Sequence, residues 1–298
     1  MAEITLLDGG VGQEIVTRRG VFDRPLWSTE AMRESPGLAQ AVHADFFAAG
    51  ATVAMANTYA ILPDRLAPAG RLAEIDALRA MAMSEARAAR DAHGGGRVAA
   101  TIGPFGASYR PDLVPPHDAA VAIYREVVAA LAPQADLVVF ETVASVAHAR
   151  AALDALAAEG RRGWIAVTVD DDDGTRLRSG EPVAALAQPL ADGPADAALA
   201  NCSAPEAMGP AIDALAASGL PVGAYANGFE GITKDFLSVS PTVDRLSRRR
   251  DMGPERYAAH AMDWVARGAT IVGGCCETGP AHIAAIATAL AGAGHAIV

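Results

Sequence analysis

Eight short apolar runs punctuate the chain, and each ends abruptly in glycine or a polar residue. They occupy residues 4–7, 52–56, 98–102, 137–140, 164–169, 197–200, 222–225 and 270–272. Near-continuous apolar runs bounded by turn residues are the pattern of strands buried on both faces. Alanine-rich amphipathic stretches lie between them, clearest at 38–49, 72–92, 119–132, 145–158, 206–217 and 254–267. Gly50, Gly160, Gly219 and Gly268 follow such stretches, where a left-handed helix cap is expected. Residues 49–53 and 267–271 echo each other as Ala/Arg-Gly-Ala-Thr-Val/Ile, one helix-to-strand joint used twice. Eight strand–helix alternations in 298 residues predict a single TIM (β/α)8 barrel domain over residues 1–298. The competing architecture, an open doubly wound sheet, lacks its G-x-G-x-x-G after the first strand.

The formal charge of −11 argues against a surface built to neutralise nucleic-acid phosphates. A hydrophobic fraction of 51% is ample for a core and too high for a disordered chain. The N-terminus shows no basic segment followed by an apolar one, so no signal peptide is expected. Residues 278–298 carry no charged side chain. They are dominated by alanine and glycine and interrupted by Pro280, so a buried terminal helix is expected rather than a membrane span. A cytoplasmic monomer or small homo-oligomer that binds neither membrane nor nucleic acid follows. The longest irregular stretch, 228–253, contains Pro241 and Arg248-Arg249-Arg250. Its length suggests a lid over the barrel mouth; the bland reading of the arginines is a solvated surface cluster.

Barrel enzymes carry their chemistry at the C-terminal ends of the strands. Here those ends bear Asp8, Asn57, Glu141, Asp170, Asn201, Cys202, Asn227, Cys275 and Cys276. The chain has three cysteines, an odd number unsuited to a disulfide scaffold, and all three fall at predicted strand ends. Zinc takes thiolates in tetrahedral geometry, and three protein ligands leave a fourth position open, the catalytic pattern. Gly273-Gly274 is expected to permit a backbone distortion that lets adjacent Cys275 and Cys276 converge. A vicinal disulfide is the alternative. Three thiolates around Zn2+ make a poor generator of hydroxide but suit a fourth, substrate thiol, bound as a nucleophilic thiolate. The implied reaction is alkyl transfer to a thiol.

The segments Leu7-Asp8-Gly9-Gly10, Asn57-Thr58-Tyr59, Phe140-Glu141-Thr142, Asn201-Cys202 and Gly273-Gly274-Cys275-Cys276 with Thr278 resemble the homocysteine S-methyltransferases. The resemblance runs from the first strand to the last helix, and the separated cysteine with the late Gly-Gly-Cys-Cys is its most specific part. It implies a TIM barrel in which Cys202, Cys275 and Cys276 hold zinc and zinc binds the sulfur of homocysteine. It further implies that Asp8 and Glu141 receive the homocysteine ammonium, which also suits two carboxylates costly to bury alone. Pro25-Leu26-Trp27-Ser28 resembles a family segment after the first strand; the Trp27 indole, with Tyr59, could face a cationic methyl donor. Tyr225-Ala226-Asn227-Gly228 resembles another, with Asn227 ordering the mouth, and Asn57 joins the substrate-binding set. Glu277 departs from the Gly or Arg common after the double cysteine. Such a carboxylate could alter donor preference or point to solvent. With one helix after Cys276, the chain has no room for folate and cobalamin modules, and S-methylmethionine is the favoured small sulfonium donor. Betaine or another sulfonium, a different thiol or selenol acceptor, and a non-catalytic thiol- or metal-binding barrel remain open.

Overall fold

The computed structural model describes residues 1–20, 26–233, 236–237 and 246–298. Among the described residues, nine strands lie in one parallel sheet: β1 (Glu3–Leu6), β2 (Val53–Met55), β3 (Arg97–Ile102), β4 (Leu137–Val143), β5 (Gly163–Val167), β6 (Ala195–Asn201), β7 (Val222–Ala226), β8 (Ile271–Gly274) and β9 (Ala296–Ile297). Their order in space is β2-β3-β4-β5-β6-β7-β8-β1-β9. Sequential order with β8 returning to β1 excludes the doubly wound alternative, whose order reverses at a switch point. The sheet curls far enough for Leu7, just past β1, to bridge Val53 in parallel. The Thr52 N–H donates to Leu6 O at 2.7 Å and the Asp8 N–H to Val53 O at 3.2 Å.

The helices among the described residues are α1 (Val11–Arg19), α2 (Trp27–Glu34), α3 (Leu38–Ala48), α4 (Pro63–Leu66), α5 (Ile75–His93), α6 (His117–Leu131), α7 (Val146–Ala158), α8 (Ala187–Asp192), α9 (Met208–Leu215), α10 (Pro254–Ala266) and α11 (Pro280–Gly292). All eight apolar runs became strands, and each of the six clearest amphipathic stretches contains a helix. The period-2 geometry of a strand then sorts the core. Leu7, Val53, Met55, Val139, Trp164, Leu199, Tyr225 and Ile271 form one cluster, filling the inside of the curl. Leu6, Val98, Phe140, Ile165, Ala198 and Val272 join the larger cluster, which also holds residues from the surrounding helices.

Three expectations are corrected. The uncharged stretch 278–298 is not one buried helix: it holds α11 and then β9, which adds to the edge of β1. β4 does not stop before Glu141 but runs on to Val143, and its register with β5 shifts between Phe140 and Val143. The 72–92 stretch opens with a 3-10 turn (Leu72–Glu74), not α-helix. The two echoed joints share their cause. Gly50 and Gly268 both adopt left-handed φ, 106° and 102°, where a side chain would be strained. Among the described residues, no helix is long and apolar enough to cross a membrane.

Candidate metal centre and carboxylate pair

Cys202 follows β6, and Cys275 and Cys276 follow β8. Their sulfurs lie within 4.8 Å of one another. Cys275 Sγ is 2.9 Å from Cys202 Sγ, and Cys276 Sγ is 4.0 Å from it. All three thiols are free. The sequence argument for their convergence is corrected here. Neither Gly273 nor Gly274 has left-handed φ. Cys275 is the first residue past β8 and Cys276 already begins a turn, so strand alternation does not extend through the pair. The glycines serve close approach instead. A Cβ on Gly273 would stand 2.5 Å from Leu7 Cβ, and one on Gly274 would strike the Thr278 side chain. From the facing loop, a Cβ on Gly10 would lie 2.7 Å from Cys275 O. The left-handed strain falls on Cys202, φ 52°, and Glu277, φ 64°.

The three sulfurs are electrically unequal. Hydrogen bonds with Cys275 and Cys276 hold Cys202 well below its ordinary range, aided by the Tyr109 hydroxyl. That hydroxyl donates to Cys202 Sγ at 3.0 Å. Cys275 and Cys276 are pushed up by the same hydrogen bonds. Tyr109 is buried and has Arg178 stacked over its ring at 5.2 Å. Tyr109, Phe229, Phe236 and Leu246 form an apolar shell around Cys202, with Ile232 and Leu237 against it. The result is three clustered thiols, one of them lowered by its neighbours, under an apolar cover. Such a donor set could hold a thiophilic metal with one position open.

Much of this shell comes from the 228–253 stretch, so its described parts pack over the thiols. The rest of that stretch, Pro241 included, lies outside the described residues, as does Pro25. Arg248 and Arg250 are exposed, as in a solvated cluster, whereas Arg249 is half-buried and paired. Arg249 makes a bidentate pair with Glu206 at 2.7 and 2.9 Å and also meets Asp251. Arg248 reaches Glu277 at 3.2 Å. Glu277 does not point freely to solvent either. Its carboxylate accepts from Gln13 Nε2, and its own N–H donates to Gln13 Oε1 at 2.7 Å.

Glu141 lies within β4, and Asp8 lies two residues past the end of β1. The bulge in β4 leaves Thr142 at φ 57° beside Glu141, and bulges re-aim the side chain they carry. Asn201 secures that bulge: its Oδ1 accepts from the Thr142 N–H at 3.0 Å. Tyr225 OH donates to Glu141 Oε1 at 2.9 Å. Burial pushes Glu141 up to about 8, opposed by the Tyr225 hydrogen bond and reinforced by the charges of Cys202 and Asp8. Asp8 is buried, and burial raises it too, against the lowering effects of His43 and the Met55 N–H. Its Oδ2 accepts from that N–H at 2.8 Å, while Oδ1 has no partner.

The remaining expected residues divide. Asn57 spends its side chain on α2: Oδ1 accepts from Ser28 Oγ at 2.8 Å, and Nδ2 donates to Ser28 O at 3.3 Å. Asn227 caps the start of its loop by accepting from the Phe229 N–H at 3.2 Å, leaving Nδ2 unpartnered. Tyr59 donates or accepts with Ser108 Oγ at 2.8 Å, and Arg65 already lies 5.3 Å from its ring centroid. Trp27, at φ 44°, packs against the main core cluster rather than the thiol shell, and its buried Nε1 has no partner. Tyr109, Phe229, Phe236 and Leu246 were not foreseen. Left-handed tyrosine at 109 and long-range packing leave no mark in a single sequence.

Three clustered thiols that could hold a metal, beside two buried carboxylates, sit at strand ends of a curled parallel sheet in an α/β protein. Residues 5–290 match the family model for homocysteine S-methyltransferase. The chain therefore belongs to the homocysteine S-methyltransferase family, a family of methyltransferases. It is 32% identical to a homocysteine S-methyltransferase of Escherichia coli (strain K12), over 95% of this chain and 94% of that one. It is 28% identical to the homocysteine S-methyltransferase YbgG of Bacillus subtilis (strain 168), over 95% and 93%. The metallated form of the homocysteine methyltransferase MmuM from Escherichia coli superposes with a TM-score of 0.78 at 30% identity, covering 96% of both chains.

Proposed function

We propose that the chain transfers a methyl group from a small sulfonium donor, S-methylmethionine by preference, to homocysteine, giving methionine, and that it depends on zinc. The observation that carries this reading is the convergence of three free thiols from β6 and β8 within 4.8 Å. Cys202, Cys275 and Cys276 are the ligand set. Bound there, zinc supplies deprotonation of the acceptor thiol and keeps its sulfur nucleophilic. The residues of the chain do the rest. Asp8 Oδ1, buried and unpartnered, receives the acceptor ammonium together with Glu141. Tyr109, Phe229, Phe236 and Leu246 exclude water from the sulfurs. Trp27 is assigned to the donor cation, which the face of its indole would attract. Asn57 and Asn227 order the mouth.

The acceptor sulfur attacks the methyl carbon, the donor carbon–sulfur bond breaks, and its electron pair leaves on a neutral thioether. No general acid is required. Positioning supplies much of the acceleration. We further read the curled sheet as a closed (β/α)8 barrel, supported by the Leu7–Val53 bridge between the first and second strands. Untagged protein is assayed for bound metal and for methionine formation by mass spectrometry across S-methylmethionine, other sulfoniums and betaine. The reading expects stoichiometric zinc, turnover with a sulfonium and loss of turnover on chelation. Full turnover in chelated, zinc-free protein would sink it.

A further inference from the structure

His43 lies in α3 and is entirely out of solvent. Both of its ring nitrogens are buried without a hydrogen-bond partner. Buried polar atoms in folded proteins are almost all satisfied, so two orphans on one ring need an explanation. The polar group facing the ring is Asp8, with Nδ1 3.7 Å from Oδ2. Among the described residues, His43 is the one basic side chain paired with Asp8. The carboxylate is 1% exposed and has a single N–H, from Met55, on Oδ2. A carboxylate so poorly supplied is costly to keep buried. The gap to His43 exceeds a hydrogen bond by about 0.7 Å, which a small side-chain rotation closes.

We propose that His43 is a positioning residue for acceptor recognition: its ring backs Asp8 Oδ2 and holds the carboxylate so that Oδ1 meets the ammonium of the amino-acid acceptor. The geometry is asymmetric in the required sense. Oδ2 faces the protein, with Met55 and His43 around it, and Oδ1 is left free. The inference rests on the reading of Asp8 as an ammonium receiver.

His43→Phe keeps an aromatic ring in the core and removes both nitrogens. It is expected to raise the KM for homocysteine roughly tenfold or more, the usual cost of losing a hydrogen bond to a charged group. kcat and bound metal should stay near the parent values. His43→Asn, which restores an N–H close to the Nδ1 position, should recover most of the loss. The double variant Asp8→Asn/His43→Phe should be no worse than Asp8→Asn, because His43 acts through Asp8. Multiplying effects, or an unchanged KM in His43→Phe, would overturn the inference. An unchanged KM in Asp8→Asn would instead overturn the ammonium reading, and the role of His43 with it. A second readout leaves residue 43 intact. In histidine-15N-labelled protein, Asp8→Asn should shift the His43 Nδ1 resonance, and an unmoved resonance would refute the pairing even if His43→Phe does not fold.

Discussion

Cys202, Cys275 and Cys276 meet because backbones approach closely, whereas Asp8 and Glu141 are placed by side chains reaching across the sheet. At the thiol end, Gly10, Gly273 and Gly274 leave room that a single Cβ would fill. At the carboxylate end, Asn201 braces the β4 bulge, Tyr225 spans from β7, and His43 approaches from α3. The first construction fails sharply under small changes. The second should degrade by degrees, because each carboxylate has several partial supports. The two ends also differ electrically. Hydrogen bonds among the sulfurs lower one thiol beside two raised ones, while both carboxyls are raised by burial.

The largest break in this contrast is Cys276→Ala. It should lose bound metal and lower kcat/KM by about a thousandfold or more, since two thiols do not complete the site. Metal analysis beside a turnover assay checks it, and retained turnover would remove Cys276 from the ligand set. Next comes Gly273→Ala, which deletes no functional group yet places a Cβ 2.5 Å from Leu7 Cβ. A destabilisation of about 1–3 kcal/mol is expected from overpacking, with weakened metal binding. Denaturant unfolding with metal titration measures both.

At the carboxylate end, Glu141→Gln should raise the homocysteine KM by roughly tenfold to a hundredfold while leaving metal in place. Its pH behaviour follows from a group held at about 8 in the free protein. Below that pH the carboxyl is protonated, so binding an ammonium there releases a proton. Apparent affinity should therefore rise with pH until about 8 and then level, and Glu141→Gln should remove that part of the proton release. Calorimetry in buffers of different ionisation enthalpy reads the difference. The stability of the free protein has the opposite slope. A carboxyl raised on folding favours the folded state most below its ordinary range, and that contribution is lost as pH climbs to about 8. The smallest effect is expected of Arg248→Ala. Its pair with Glu277 is largely exposed on the arginine side, and such pairs are worth about 0–1 kcal/mol. Donor KM should change less than about threefold; a larger change would make Glu277 part of donor selection.

How far the sequence could be read tracks the same contrast. Strands buried on both faces leave uninterrupted apolar runs, so all eight were visible, and the cysteines stood out because they fell where those runs ended. The reason for the double glycine was not visible, because close approach of Leu7 and Thr278 is a property of the folded chain. The bulge at Glu141 was hidden too. An apolar run ending in a carboxylate reads as a strand end, although β4 continues through it. The hydrogen bonds from Asn57 to Ser28 in α2 were likewise invisible in the sequence. Tyr109 and much of the aromatic shell lie far from Cys202 in sequence, as His43 does from Asp8, and each pair meets only through tertiary packing.

The central claim is that three cysteines hold zinc and leave its fourth position for the acceptor sulfur. X-ray absorption at the zinc edge of untagged protein, with and without homocysteine, tests it directly. Three sulfur neighbours at roughly 2.3 Å should become four when homocysteine is added. A sulfur count that stays at three with homocysteine bound, or protein that carries no zinc while turning over, would contradict it.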